Sequence, residues 1–214
     1  MSAESDFYVT GGKMEKMDIL VTGVGGQGVV LASDIIGETA LAAGFDVKKT
    51  DTLGMAQRGG SVVSHIRLGE KVWSPLIKEG DADLLLAFEK LEAVRWSHYL
   101  KSGAVVIVNT YEQPPLSVSL GKEKYPTDSA IAKALKDRTD NIYFIDGNRR
   151  AKELGNVRTL NIYMLGCFSV FAPIETSVWK ESISGRLPPN LVDINLTAFE
   201  MGRKEIEGVR IGTR

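Results

Sequence analysis

Hydrophobic and polar positions along the chain switch between two periods. Met17 to Val24, MDILVTGV, is a short apolar run that reads as a strand. In the following QGVVLASDIIGETALAAG, Val30, Ile35, Ile36 and Leu41 recur at close to helical spacing, and Gly44 is a suitable stop. FDVKKTDT reads as a second strand. Strand, glycine turn, helix and strand make a βαβ unit, which implies neighbouring parallel strands. In RGGSVVSHIRLG, Val62, Ser64, Ile66 and Leu68 alternate with Val63, His65 and Arg67, a third strand. Gly69-Glu70-Lys71 then predicts a tight turn into a short antiparallel partner, KVWSPL.

Further on, ADLLLAFE is a continuous apolar run, as expected of a strand buried on both faces. KLEAVRWSHYLKSG predicts a helix ending at Gly103, and AVVIVNT another buried strand. Residues 111–127 read as a long loop with a short strand at 116–120. DSAIAKALKDR predicts a helix with Asp128 at or near its N-cap, followed by the strand NIYFIDG. Residues 149–172 look helical with a break at Gly155-Asn156, and are apolar on most sides in the later part, which predicts burial. A last helix opens at Pro189 and Asn190. The predicted fold is α/β: one domain over 17–214, a mostly parallel sheet with helices on both faces, a Rossmann-like start and an antiparallel hairpin addition. Residues 1–16, small, polar and aperiodic, are expected to form a flexible arm.

Composition narrows the function classes. The chain has 214 residues, 43% hydrophobic and 25% charged, with a formal net charge of −1. No global basic field draws it to nucleic acid or to a membrane surface. No apolar run reaches the roughly 18 residues that span a bilayer, and the first residues lack the basic-then-apolar layout of a secretory signal. A cytoplasmic protein is expected. Cys167 is the only cysteine. It cannot form an intrachain disulfide, and one thiol cannot hold an iron–sulfur cluster or a four-cysteine zinc site. His65 and His98 are the only histidines and are not paired at a metal-binding spacing, so no dedicated metal site is expected.

The candidate chemistry lies in two glycine loops. Gly23, Gly25 and Gly28 fit G-x-G-x-x-G between a strand and a helix, and Gly26 and Gln27 complete GGQG. Glycine allows a tight turn and close backbone approach, and a helix N-terminus offers free N–H groups and partial positive charge to an anion. The same residues also suit tight packing of helix on sheet without a ligand. For a dinucleotide, the second strand has to end in an acid for the ribose; Asp51 is the nearest, slightly late and preceded by Lys48 and Lys49. The second loop is Arg58-Gly59-Gly60, where exposed amides stand beside a guanidinium that can grip a phosphate or carboxylate; the alternative is a local ion pair and a plain turn. In a parallel sheet both loops would share the carboxyl-edge crevice. His65 reads as a satisfied strand residue, His98 as a surface group and Cys167 as an inert packed thiol. Glu89 and Glu92 read as first-turn helix carboxylates, and Ile145-Asp146-Gly147-Asn148 as a turn.

In order, GVGGQGVVLASDII, GMAQRGGSVVSHIR, WSPLIKEGDADLLLAFEKLEAVR, VRTLNIYMLG and NLTAFEMG resemble the gamma-type domain of the 2-oxoacid:ferredoxin oxidoreductases, most of all its indolepyruvate type. The likeness runs from Met17 to about Arg203. It implies oxidative decarboxylation of a 2-oxoacid to an acyl-CoA and carbon dioxide, with ferredoxin as acceptor. It also implies a larger partner subunit that carries thiamine diphosphate, magnesium and the iron–sulfur clusters. This chain then catalyses nothing by itself, and Gly23, Gly25, Gly26, Gln27, Gly28, Arg58, Gly59 and Gly60 are expected to contact coenzyme A or to line the shared cleft. Two rivals remain: a free-standing NAD(P)-dependent reductase, which lacks a Tyr–Lys or histidine hydride-transfer set here, and a purely structural interaction module.

Overall fold

Every second residue of strand β1 (Met17–Val24) points to the opposite face of the sheet, and all eight are buried. Apolar layers must therefore cover both sides. The computed structural model describes residues 16–53 and 59–212; apart from Lys16, the expected arm lies outside them, as does Arg58. Six strands form one sheet in the order β2-β3-β1-β4-β5-β6, with β2 (Asp46–Leu53), β3 (Ser61–Gly69), β4 (Ala82–Ala87), β5 (Leu100–Asn109) and β6 (Ile142–Ile145). Strands β1, β4, β5 and β6 run parallel. Met17, Ile19 and Val21 meet one helical layer, α1 (Val29–Ala42), α6 (Leu160–Ser169), α7 (Thr176–Arg186) and α8 (Pro189–Gly212). Leu20, Leu85 and Val106 meet the other, α2 (Lys90–Trp96) and α4 (Asp128–Lys136). The α/β sandwich with a mostly parallel sheet is as the sequence predicts.

One neighbour relation is corrected. Strand β2 does not pair with β1. The antiparallel β3 lies between them, with Val24 opposite Ser61 on one side and Leu53 opposite Val62 on the other. The reason is burial. A strand beside β1 must be apolar on both faces, and β3 supplies Val62, Val63, Ile66 and Leu68, all buried. Strand β2, with Lys48, Lys49 and Asp51, is suited to an edge, where charged side chains also block strand addition. The antiparallel hairpin is therefore β2–β3. KVWSPL forms no strand; its segment is tied to the sheet rim by Val72 N–H donating to Asp46 Oδ2 (2.9 Å) and by Arg67 donating to the Ser74 and Leu76 carbonyls.

Local punctuation explains most element ends. Gly44 (φ 90°) closes α1 as expected, with Phe45 N–H donating to Ala40 O and Gly44 N–H to Leu41 O, the double bond of a Schellman cap. Helix α2 stops at Trp96, seven residues before the predicted Gly103, because Leu100 already pairs with Ala82 in the sheet. Asp128 is the first residue of α4, next to the N-cap Thr127, which accepts from Ala130 N–H. The expected strand at 116–120 is instead one helical turn, α3 (Leu116–Ser119). The predicted turn at 145–148 starts a helix, α5 (Gly147–Glu153), capped by Asp146. The predicted break at Gly155-Asn156 stands, and a 3-10 turn (Val157–Thr159) leads from it into α6. Helix α7 had no counterpart in the predicted elements, although Trp179 and Ile183, four apart and fully buried, carry its inner face.

Candidate functional site

Strand β1 ends at the carboxyl edge of the sheet, and the four glycines lie at its exit. Gly23 is required by crowding: a Cβ there would stand 2.7 Å from Gln27 Oε1, 2.9 Å from Val29 Cγ2 and 3.0 Å from Phe88 Cβ. Gly26 and Gly28 have φ of 103° and 78°, values L side chains rarely adopt. Gln27 folds back on the turn, its Oε1 accepting from Val24 N–H at 2.8 Å. Its amide is thus a local cap. Helix α1 begins at Gly28 with no side-chain cap and no acid in its first turn. Among the described residues the N–H groups of Val29, Val30 and Leu31 meet no acceptor.

The second glycine loop meets the first, as expected, but by a different route. Because β3 runs antiparallel to β1, it is the start of β3 that reaches the carboxyl edge. Gly25 N–H donates to Gly60 O at 2.8 Å and Gly59 N–H to Gly25 O at 3.4 Å. Val24, Gly25, Gly26, Gly28, Val29, Val30 and Val62 line an open cleft of about 310 Å³ between them. Those lining residues carry no charge, so what the cleft offers an anion is backbone amides and the dipole of α1.

Asn161, near the start of α6, is the residue sequence reasoning missed. Its Nδ2 donates to Gln27 O at 3.1 Å and Gly28 O at 2.8 Å, so it staples the turn to a helix more than 130 positions away. A polar side chain inside the apolar run LNIYMLG was the available signal. Asn109, the last residue of β5, joins three neighbouring loops in the same way: its amide donates to Phe88 O and Asn148 Oδ1, and its Oδ1 accepts from Gly147 N–H.

The acid–lysine group on β2 is internally satisfied. Asp51 accepts from Lys49 Nζ at 2.7 Å and from Ser64 Oγ at 2.5 Å. Lys49 also bonds Asp34, and Lys48 bonds Asp46. Strand β3 separates the β2 members from β1, whereas the ribose acid of a dinucleotide fold sits on the adjacent strand. The arrangement does not present Asp51 to a ribose at the glycine turn. Glu89 and Glu92 are buried near the start of α2, as read from the sequence: Glu89 accepts from Glu92 N–H, and Glu92 bonds Ser61 and Arg95. Cys167 is fully buried and its thiol is pushed well above the usual range, by burial first and by the Glu205 charge second. That thiol is a packing group. No group of three or more metal-type ligands stands together among the described residues, and no helix among them is long and apolar enough to cross a membrane.

His65 lies in β3, buried, with Ile77 N–H pointing at Nδ1 (3.3 Å) and Tyr99 edge-on to its ring. Burial lowers its pKa from 6.5. The unfolded chain therefore takes up this proton before the folded one does. Stability from this group is complete above pH 6.5 and declines as pH falls below it. Urea titrations at pH 7.5 and 5.5 are expected to show that loss, and His65→Gln, which keeps an acceptor but does not titrate, is expected to lose less over the same interval.

Residues 18–205 match the pyruvate ferredoxin/flavodoxin oxidoreductase family. The indolepyruvate oxidoreductase subunit IorB of Thermococcus kodakarensis is 38% identical over 194 residues, covering 89% of this chain and 96% of that one. Among solved structures, the gamma subunit of a keto/oxoacid ferredoxin oxidoreductase from Geobacter sulfurreducens superposes with a TM-score of 0.67 at 23% identity, over 90% of this chain and 99% of that one. A 2-oxoglutarate:ferredoxin oxidoreductase from Magnetococcus marinus, solved with 2-oxoglutarate, coenzyme A and succinyl-CoA, gives 0.69 at 22% identity; there the match takes 91% of this chain but only 31% of the longer one. These two share the fold. The match over residues 18–205, most of the chain, places it in the pyruvate ferredoxin/flavodoxin oxidoreductase family.

Proposed function

We propose that the chain is the small, gamma-type subunit of a cytoplasmic 2-oxoacid:ferredoxin oxidoreductase acting on indolepyruvate or a related aryl pyruvate. The observation that carries this reading is 38% identity over 96% of the length of an indolepyruvate oxidoreductase subunit. The reaction is oxidative decarboxylation of the oxoacid to an acyl-CoA and carbon dioxide, with two electrons passed to ferredoxin. Thiamine diphosphate with its magnesium supplies the carbanion chemistry, and iron–sulfur clusters carry the electrons. One buried cysteine does not fit a cluster, so the clusters fall to a larger partner subunit, which in this reading carries the thiamine diphosphate as well.

The glycine cleft fits the remaining reactant. Coenzyme A carries a pyrophosphate and a 3′-phosphate, and Val29 and Val30, which line the cleft, bring their free amides and the positive end of α1 to it. In this reading the Gly23–Gly28 turn and Arg58-Gly59-Gly60 hold an anionic part of coenzyme A or close the active-site cleft of the complex. The test is co-expression with the large subunit. The complex is expected to reduce ferredoxin with indolepyruvate and coenzyme A, and neither chain alone is expected to do so. Within that complex, Arg58→Ala is expected to raise the coenzyme A KM roughly tenfold, the loss of about one charge-assisted bond. An unchanged KM for both coenzyme A and oxoacid removes Arg58 from the site.

A further inference from the structure

The chain leaves β5 into segment 111–128, which carries the single turn α3 and ends on the first residue of α4, and two consecutive residues at the start of α2 hold both of its ends. Glu89 is 1% exposed. Its Oε2 caps α2, while its Oε1 accepts from Gln113 N–H at 3.2 Å and from the Tyr125 hydroxyl. Lys90 is 5% exposed, and its Nζ bonds Glu112 at 2.6 Å and the Asp128 carboxylate. One anion thus gathers a donor from each end of the segment, and the adjacent cation gathers a carboxylate from each end. Burial works against the charge on Lys90, but the hydrogen bonds to Asp128 and Glu112 outweigh it and raise the pKa. Burial, reinforced by Glu89, holds the Tyr125 phenol far above its usual range, so it stays a donor.

Buried charges of this kind stabilise a fold poorly, and their best-attested use is to specify one geometry. The geometry fixed here is that of Gln113. Its Oε1 accepts from Gln27 Nε2 at 3.4 Å, and the other end of the same Gln27 amide holds Val24 N–H. A continuous chain of contacts therefore runs from the Glu89–Lys90 clasp through Gln113 into the glycine turn. We infer that Glu89 and Lys90 are positioning residues for the glycine cleft, acting through Gln113 and Gln27 on the turn that lines it. This rests on the coenzyme A reading given above, and it assigns the clasp to ligand affinity and leaves turnover to other groups.

Lys122 and Lys124 are exposed within the segment, so trypsin reports its looseness in the full chain. Glu89→Gln and Tyr125→Phe are expected to speed native-state cleavage there several-fold. In the complex with the large subunit, both are expected to raise the coenzyme A KM roughly tenfold, with kcat within about a factor of two. Faster cleavage with an unchanged coenzyme A KM overturns the positioning role. Unchanged cleavage overturns the clasp. Tyr125→Phe removes one hydroxyl from a partly buried site, and it gives both readings if Glu89→Gln fails to fold. A wild-type complex without indolepyruvate oxidation overturns the functional reading and the ligand role with it. An active wild-type complex with an unmoved variant KM overturns the positioning alone.

Discussion

Alanine in place of Gly202 is expected to lower the melting temperature by roughly 6–12 °C, the equivalent of about 3 kcal/mol in a domain of this size. Gly202 in α8 lies directly against the backbone of α6, where a Cβ would fall well inside contact distance of the Tyr163 carbonyl oxygen and 3.0 Å from Cys167 N. Gly166 in α6 has the same relation to Phe199 O of α8. Two glycines, one on each helix, let the axes approach more closely than side chains allow. The obstacle is main chain on both sides, so no rotamer change relieves it. The helices must part, and Tyr163 and Phe199, both nearly fully buried, lose their packing. Gly208, on the same helix but with open space around its Cβ position, is the control: alanine there is expected to stabilise slightly through helix propensity. Thermal unfolding of the two variants side by side is the measurement. A Gly202→Ala protein melting with the wild type would show that α6 and α8 are not in contact at this point.

The second large effect belongs to Gly28→Ala, and it is expected in binding as well as stability. At φ 78° an alanine costs about 1–2 kcal/mol. Its Cβ would also displace the Asn161 amide that bonds the Gln27 and Gly28 carbonyls, adding the loss of about one or two hydrogen bonds at roughly 1 kcal/mol each. The expected sum is a fall of about 2–4 kcal/mol in unfolding free energy by urea titration. Because Gly28 forms the N-terminus of α1, a shift there misaligns the amides of the first turn, and in the complex the coenzyme A KM is expected to rise at least about tenfold. Asn161→Ala separates the two causes: it leaves the backbone conformation free and removes only the staple. If Gly28→Ala binds coenzyme A normally, the first turn of α1 is not the ligand's seat.

What the sequence discloses follows from the range of the interactions. Strand β1, its glycine exit, α1 and the Gly44 stop were legible because each is written in contiguous residues, and periodicity and φ demands report them directly. The pairing of β1 with β3 was not, since a strand's own alternation says that it is half or fully buried but not beside which strand. The polar face of β2 was the clue that it could not occupy the interior place. The meeting of Gly59-Gly60 with the first loop was foreseen, yet through a parallel arrangement; the antiparallel β3 brings its start to that edge instead. Asn161, Gln113 and Tyr125 were invisible as site residues because each acts across 36 or more positions, and no local pattern marks a side chain whose partner is so distant. Cys167 and His65 were read correctly as packed groups and Glu89 as a carboxylate at the helix start, for which residue type and neighbouring polarity suffice.

Helix α6 is buried along Ile162–Ser169, eight consecutive residues, and much of its covering comes from α8, which begins only at Pro189. During synthesis the chain therefore exposes the α8-facing side of this apolar helix for the interval in which residues 189–212 are still being added or held in the ribosomal tunnel. The sheet, already translated by then, shields only the side of α6 that packs on it. Ribosome-bound intermediates stalled before that point are the form of this protein most in need of a chaperone.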